Sequence, residues 1–386
     1  MSIYKHIKSL TSLRGIAALV VVVHHFSSYG LPKTGSTLST YSNFFTNGYL
    51  WVDFFFILSG FIMTHVYAED FYLKVSLNHY CSYLFSRFAR IYPLHIFIIF
   101  LFIGLEFVKA FLLKTSAFTG KFNLTALVAN IFLLQAFDLK CPPLLWCNTY
   151  WNEPAWSISV EFFIYCIFPF LLLILLKNNH KIDLIIYSST LFSILLLITF
   201  TRGNLDTIIG IPSIARCGLE CILGIITYKI YRRGNYKKHF NLNLLAIIAI
   251  TWIILIMHYY WHDFRNIHDW LILPAFSLLI LSVSINNTSI ISKFLNSQLM
   301  LYIGTISYSI YMVHWFVQEL LKVFWLYKFH NVFGKGFTEY QSLTSLGVFL
   351  MIILFIASLT YKFVEVPTRN YLKSKILDGN LFKLSN

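Results

Sequence analysis

Ten apolar runs follow one another along the chain, near residues 10–28, 46–67, 91–112, 154–176, 183–200, 208–228, 242–260, 270–285, 300–327 and 341–364. A helix that crosses a bilayer needs about 20 mostly apolar residues. A chain inside lipid must also satisfy its backbone polar groups by itself, which leaves helices and closed barrels. Strand-like alternation is absent, so a barrel is excluded. The fold class that follows is an all-α integral membrane protein, a bundle of about ten transmembrane helices. With 58% hydrophobic and 12% charged residues, no stretch is polar enough for a separate soluble domain. One transmembrane domain over 1–370 and a short tail over 371–386 are expected.

Charge sets the expected topology. The net charge of +14 does not call for nucleic acid as a partner. It is accounted for by loop cations obeying the positive-inside rule. The connection with Lys74, Arg87 and Arg90, the segment YKIYRRGNYKKH at 228–239, and the C-terminal Lys362, Arg369, Lys373 and Lys375 all fall inside when the N-terminus is inside. Counting 123–137 as a span breaks that agreement. At about 15 residues it suits a re-entrant or interfacial segment. Lys5 and Lys8 before the first run resemble a signal peptide, but no small-residue cleavage site follows, so an uncleaved first span is expected.

The cysteines form no metal signature, and no metal is expected. Cys81, Cys166, Cys217 and Cys221 lie in or beside apolar runs and suit packing. Cys141 and Cys147 lie in a polar loop placed outside; pairing and two free thiols both remain open there.

Ionisable side chains inside a bilayer are expensive and mark functional sites by default. The first run, LTSLRGIAALVVVVHHF, carries Arg14 and His25, eleven residues apart. At 3.6 residues per turn they share one helix face, separated by a rise of roughly 16 Å. His24 points elsewhere around the same helix. The second run, GYLWVDFFFILSGF, holds Asp53, with Ser59 and Gly60 about two turns on. The competing reading of Asp53 is a first-turn carboxylate favoured by the helix dipole. In SRFARIYPLH, Arg87 and Arg90 share a helical face. Such a pair suits a phosphorylated ligand, although arginine at an inner interface is also commonplace. Ser157, Glu161 and Tyr165 follow at i, i+4 and i+8, beside Trp156. Arg216 and Glu220, at i and i+4, suit a structural ion pair. Ser307, Tyr311, His314 and Gln318 draw a polar stripe along one face. Glu365, Pro367 and Arg369 close the last run.

Together, LRGIAALVVVVHH, VDFFFILSGF, RFARIYPLH, WSISVEFFIY, ISYSIYMVHW and FVEVPTRN resemble acyltransferase family 3, the multi-span O-acyltransferases of surface glycans, in the family's order over nearly the whole chain. The resemblance implies that Arg14 and His25 are the family's Arg-x10-His element, with His25 catalytic and His24 an extra histidine. It implies that Arg87 and Arg90 serve the acyl-CoA donor and that Glu161 is the glutamate of the Trp-Ser segment. Where many members continue with Glu-Gln, this chain has Phe162 and Phe163. A stand-alone form without an SGNH hydrolase-like domain is expected. The implied reaction moves an acyl group, acetyl by family habit, from cytoplasmic acetyl-CoA to a hydroxyl of an extracytoplasmic glycan. O-antigen, capsule, exopolysaccharide or a lipid-linked sugar all fit as acceptor. No cofactor is bound; acyl-CoA is a co-substrate, and membrane lipid is the remaining partner. The implied location is the bacterial inner membrane, with both termini cytoplasmic.

In this scheme Arg14, Arg87 and Arg90 hold phosphates, and neutral His25 acts as general base or as a covalent acyl carrier. Asp53 or Glu161 orients the imidazole, and His24, Ser157, Arg216, Glu220, Ser307, Tyr311 and His314 line the polar path. Outer-loop aromatics and acids (Trp146, Tyr150, Trp151, Trp261, Asp138, Glu153, Asp263, Asp269) suit sugar binding and an interfacial belt equally. The alternative class is a proton-coupled secondary transporter, against which the absence of an inverted repeat counts.

Overall fold

A computed structural model describes residues 6–137, 151–201, 204–207, 210–234, 241–259, 265–285 and 289–377. Asp138, Cys141, Trp146, Cys147, Tyr150, Trp261 and Asp263 lie outside the described residues, as does the tail beyond 377. Among the described residues there is no strand. The helices are α1 Lys8–His25, α2 Pro32–Ser39, α3 Trp51–Phe71, α4 Leu77–Leu113, α5 Leu124–Ile131, α6 Trp156–Leu175, α7 His180–Phe200, α8 Ile211–Arg233, α9 Leu242–His258, α10 Arg265–Ile285, α11 Ile290–Leu295, α12 Gln298–Thr305, α13 Ser307–Phe329, α14 Glu339–Thr360 and α15 Val366–Leu377.

Every one of the ten apolar runs becomes helix. Among the described residues, eight helical segments are long and apolar enough to cross a bilayer, α12 and α13 pass the same test together as a pair bent by 62°, and α9 is a shorter apolar helix of 17 residues. The chain is a multi-pass membrane protein. Four of the longer or marginal helices start where a short polar side chain caps free N–H groups: Ser76 before α4, Asn123 before α5, Asn179 before α7 and a Thr338–Gln341 capping box before α14. The segment after Asn123 is the 8-residue α5 followed by a single 3-10 turn, well short of a span.

One boundary differs from expectation. The third helix does not begin near residue 91; α4 runs for 37 residues from Leu77 and carries Pro93 inside it. Arg87 and Arg90 are therefore helical residues, not loop cations. The four described cysteines, Cys81, Cys166, Cys217 and Cys221, are free thiols.

Two close crossings fix the core. A Cβ on Gly60 would lie 2.2 Å from the Cys221 carbonyl oxygen, and one on Gly224 would lie 2.1 Å from that of Ile57, so only glycines let α3 and α8 meet. Gly15 and Gly304 do the same for α1 and α12, where a Cβ on Gly304 would lie 2.0 Å from the Thr11 oxygen. Small residues at such crossings are how membrane helices reach backbone contact. The best window of α1 is 78% buried and that of α3's span 72%, against 22% for α7 and for α14. α1 and α3, with Arg14, His25 and Asp53, thus occupy the centre, and α7 and α14 turn Phe192, Phe200, Met351 and Phe355 outward to the position of lipid.

Candidate active site

Three arginines converge on one cavity. Arg14 from α1 and Arg87 and Arg90 from α4 line a space of about 120 Å³ with Ser59 and Met63 of α3, Glu161 and Tyr165 of α6, and Ser307, Tyr308 and Tyr311 of α13. Its remaining lining is mostly apolar, including Phe55, Phe56 and Ile158. Arg14 and Arg90 also belong to a second, more polar vestibule with His6, Lys8, Glu365 and Arg369. The two guanidiniums stand where the compartments meet. Arg87 donates to the Tyr67 hydroxyl at 3.0 Å and to Met63 Sδ at 3.2 Å. Arg14 and Arg90 make no hydrogen bond and no ion pair with any described residue. Glu161 lies on the same wall, accepting from the Ser59 hydroxyl and the Tyr165 hydroxyl, each at 2.6 Å. Ser157, Glu161 and Tyr165 all reach this cavity, as their spacing predicts.

The stripe on α13 continues from the cavity. Ser307 and Tyr311 face it; Tyr311 bonds Ser157 at 2.8 Å through its hydroxyl. One turn on, His314 Nδ1 lies 2.7 Å from the Tyr311 carbonyl oxygen, and His314 Nε2 lies 2.8 Å from His25 Nδ1. The two imidazoles are nearly coplanar, tilted by 4° with centroids 5.1 Å apart.

Proton placement in the neutral pair follows from the partners. A carbonyl oxygen only accepts, so His314 Nδ1 carries its proton and His314 Nε2 offers a lone pair. His25 Nδ1–H donates to that lone pair, which leaves the lone pair of His25 on Nε2. No protein partner for that nitrogen is present among the described residues. His25 is half-buried and opens a five-residue π-turn, Phe26–Gly30, that ends α1. Such turns recur at functional sites.

His24 does other work. It is buried, lies 3.2 Å through Nδ1 from the Phe45 carbonyl oxygen, and meets the Tyr49 ring at 5.7 Å. Its role in the structure is that of a strut between α1 and the Thr46–Leu50 turn.

Two expectations are corrected. Asp53 does not orient a histidine: its Oδ1 accepts from Arg216 Nε at 2.8 Å and Nη2 at 2.6 Å, and Arg216 Nε stands 3.5 Å from Glu220 Oε1. The glycine crossing of α3 and α8 presses these side chains together, and the arginine lies over the Trp156 ring at 5.5 Å. Asp53, Arg216 and Glu220 form a buried ion cluster and line neither compartment. Glu161 does not orient a histidine either, because it stays in the arginine cavity; His314 holds that place. The cavity itself stops at Tyr311, whose ring is 5.9 Å from that of His314, and does not include His25. Among the outer aromatics, Trp151 is fully buried and donates to the Asn123 carbonyl oxygen, and Asp269 is buried, accepting from the Tyr49 hydroxyl at 2.8 Å. Both are structural. Sequence reasoning missed Tyr308 on the cavity wall and Tyr29 and Trp315 beside His25. Tyr29 had a signal available, its i+4 spacing from His25; Trp315 follows His314 directly.

Fold and site define a multi-pass membrane protein with a cation-lined cavity beside a hydrogen-bonded histidine pair. A family model described as an acyltransferase domain, that of acyltransferase family 3, matches residues 7–362, and the chain belongs to this family. It is 22% identical over 391 residues to "O-acetyltransferase OatA" of Staphylococcus aureus (strain NCTC 8325 / PS 47), covering 95% of this chain and 57% of that protein. It is 23% identical over 379 residues to "Putative O-acetyltransferase SACOL0978" of Staphylococcus aureus (strain COL), covering 95% and 58%. The chain spans a little over half the length of these curated relatives. No solved structure matches it.

Proposed function

We propose that the protein is a membrane O-acetyltransferase that takes an acetyl group from acetyl-CoA at the cytoplasmic side and delivers it to a hydroxyl of an extracytoplasmic glycan. The observation that carries this reading is the pair of guanidiniums, Arg14 and Arg90, facing shared space with no ion pair within 4 Å among the described residues, while Glu365 in the same vestibule is engaged by Arg369 and Ser309. More cations than carboxylates around one cavity of a membrane protein call for an anionic ligand, and arginine suits phosphate oxygens geometrically. The polar vestibule, with Lys8 and Arg369, suits the nucleotide end of the donor. The largely apolar cavity suits the pantetheine arm.

Past Tyr311 the acyl group meets the histidine pair. His25 Nε2 takes the proton of the acceptor hydroxyl as its oxygen attacks the thioester carbon. The tetrahedral adduct collapses, the thiolate leaves, and the proton on His25 Nε2 passes to it. While His25 is an imidazolium, His314 Nε2 continues to accept from Nδ1–H, so the pair shares the charge. A proton-coupled carrier has no specific support in this geometry. Both termini at the cytoplasmic face of a bacterial inner membrane complete the reading.

The test is a proteoliposome assay with radiolabelled acetyl-CoA inside and a bacterial surface polysaccharide outside. Labelled glycan outside, in proportion to acetyl-CoA consumed, supports the proposal. Export of label without covalent attachment overturns it in favour of transport.

A further inference from the structure

The side of His25 away from the arginine cavity holds a cluster that the donor does not use. Gln318 lies one turn beyond His314 on α13 and is 1% exposed, yet neither its Nε2 nor its Oε1 has a hydrogen-bond partner among the described residues. Trp315 is 4% exposed, and its indole Nε1–H is also unpartnered. Buried polar atoms without partners are costly and rare, and three of them occur here within four residues. Their neighbours face the reactive nitrogen's ring. The Trp315 ring meets that of His25 edge-on at 5.4 Å and that of Tyr29 at 5.7 Å. Tyr29, half exposed, lies 6.1 Å from His25 by ring centroids. A Cβ at residue 30 would stand 2.7 Å from Gln318 Oε1, so only glycine at the end of the π-turn leaves room for the amide in this position. Lys121, 5.7 Å from the Trp315 ring, shares Glu319 with Lys322, at 3.5 and 3.2 Å.

We propose that Gln318 and Trp315 are specificity-determining residues that hold the acceptor, and that they read a free hydroxyl adjacent to the one acylated. This rests on the acyltransferase reading above. An amide presents one acceptor and one donor side by side, which complements two neighbouring hydroxyls, each able to donate and accept. The indole N–H adds a single donor for a further ring oxygen. The exposed face of Tyr29 suits the C–H face of a sugar ring. A simple alcohol, with one hydroxyl and no neighbour, leaves the amide half unpaired. Sites built to hydrogen-bond a hydroxyl discriminate strongly against analogues that lack it.

The experiment uses the full chain in proteoliposomes with acetyl-CoA and three probes: a methyl pyranoside, its deoxy analogue missing one vicinal hydroxyl, and cyclohexanol. Wild type is compared with Gln318→Leu, which keeps the side chain's bulk, and Trp315→Phe, which keeps an aromatic ring. Binding of the pyranoside is followed separately, by its effect on the melting temperature. Wild type should favour the pyranoside over the deoxy analogue by roughly tenfold or more in kcat/KM. Gln318→Leu should raise the acceptor KM and erase that preference, with the KM for acetyl-CoA unchanged. Trp315→Phe should raise the acceptor KM by a smaller factor. Unchanged acceptor KM and unchanged preference in both variants overturns the subsite while leaving the transferase reading in place. Pyranoside stabilisation that Gln318→Leu removes, without acetyl transfer to any probe, supports the subsite and overturns the transferase reading instead.

Discussion

The Asp53–Arg216–Glu220 cluster and the Arg14–Arg87–Arg90 cavity are made of similar residues in one bundle, the first fully buried and the second partly open. They differ in what each charge faces. In the first, every ionised group has a counter-charge within 3.5 Å. In the second, Arg14 and Arg90 have no ion pair among the described residues, Glu161 on the cavity wall accepts from two hydroxyls, and Glu365 in the vestibule pairs with Arg369. A buried ion pair is weak evidence for function and strong evidence that its members depend on each other. A half-buried cation without an ion pair is a place for an anionic ligand. Residue type is shared by the two clusters; burial and partner satisfaction separate them.

Mutations should therefore split by cluster. Arg216→Ala leaves Asp53 and Glu220 buried without their cation, a loss of about 3–5 kcal/mol. Thermal unfolding in detergent should show a large fall in melting temperature or no folded protein, whereas an unchanged melting temperature would erase the distinction drawn here. Arg90→Ala should leave the melting temperature near wild type and raise the KM for acetyl-CoA roughly 10- to 100-fold, the worth of a charged hydrogen bond. Initial-rate kinetics decide it, and a folding defect in place of a KM effect would move Arg90 to the structural group. His314→Ala removes the group that fixes the proton on His25 Nδ1. A fall in kcat of roughly tenfold, the upper range for one neutral hydrogen bond, is expected with the acetyl-CoA KM unchanged. His24→Ala loses one histidine–carbonyl contact and should lower the melting temperature slightly while transfer stays at wild-type level. A loss of transfer there would reassign the base.

Much of this fold was legible in the sequence because lipid imposes a length rule: all ten runs became helices, and the eight-residue α5 confirmed that 123–137 is too short to span. The start of α4 was not legible. Its stretch from Leu77 to Pro93 mixes polar and charged residues with apolar ones, and the helix runs through Pro93. Single-helix relations in the site were also legible, since they need only the 3.6-residue period: Arg14 with His25, Ser157 with Glu161 and Tyr165, and the stripe from Ser307 to Gln318. Pairings between helices were not. Asp53 and Arg216 are 163 residues apart, and His25 and His314 are 289 apart. Nothing in either local segment states which partner the glycine crossings will deliver. The sequence offered Asp53 or Glu161 beside His25, and the structure puts His314 there.

The central claim is that His25, with its lone pair held on Nε2, performs the acyl transfer. The most direct measurement compares wild type and His25→Ala in proteoliposomes, following label from acetyl-CoA to glycan alongside the melting temperature of each protein. The account predicts loss of transfer by at least about 100-fold, the lower range for a general base, with a folded protein that still binds acetyl-CoA. Transfer at the wild-type rate in folded His25→Ala protein would contradict it.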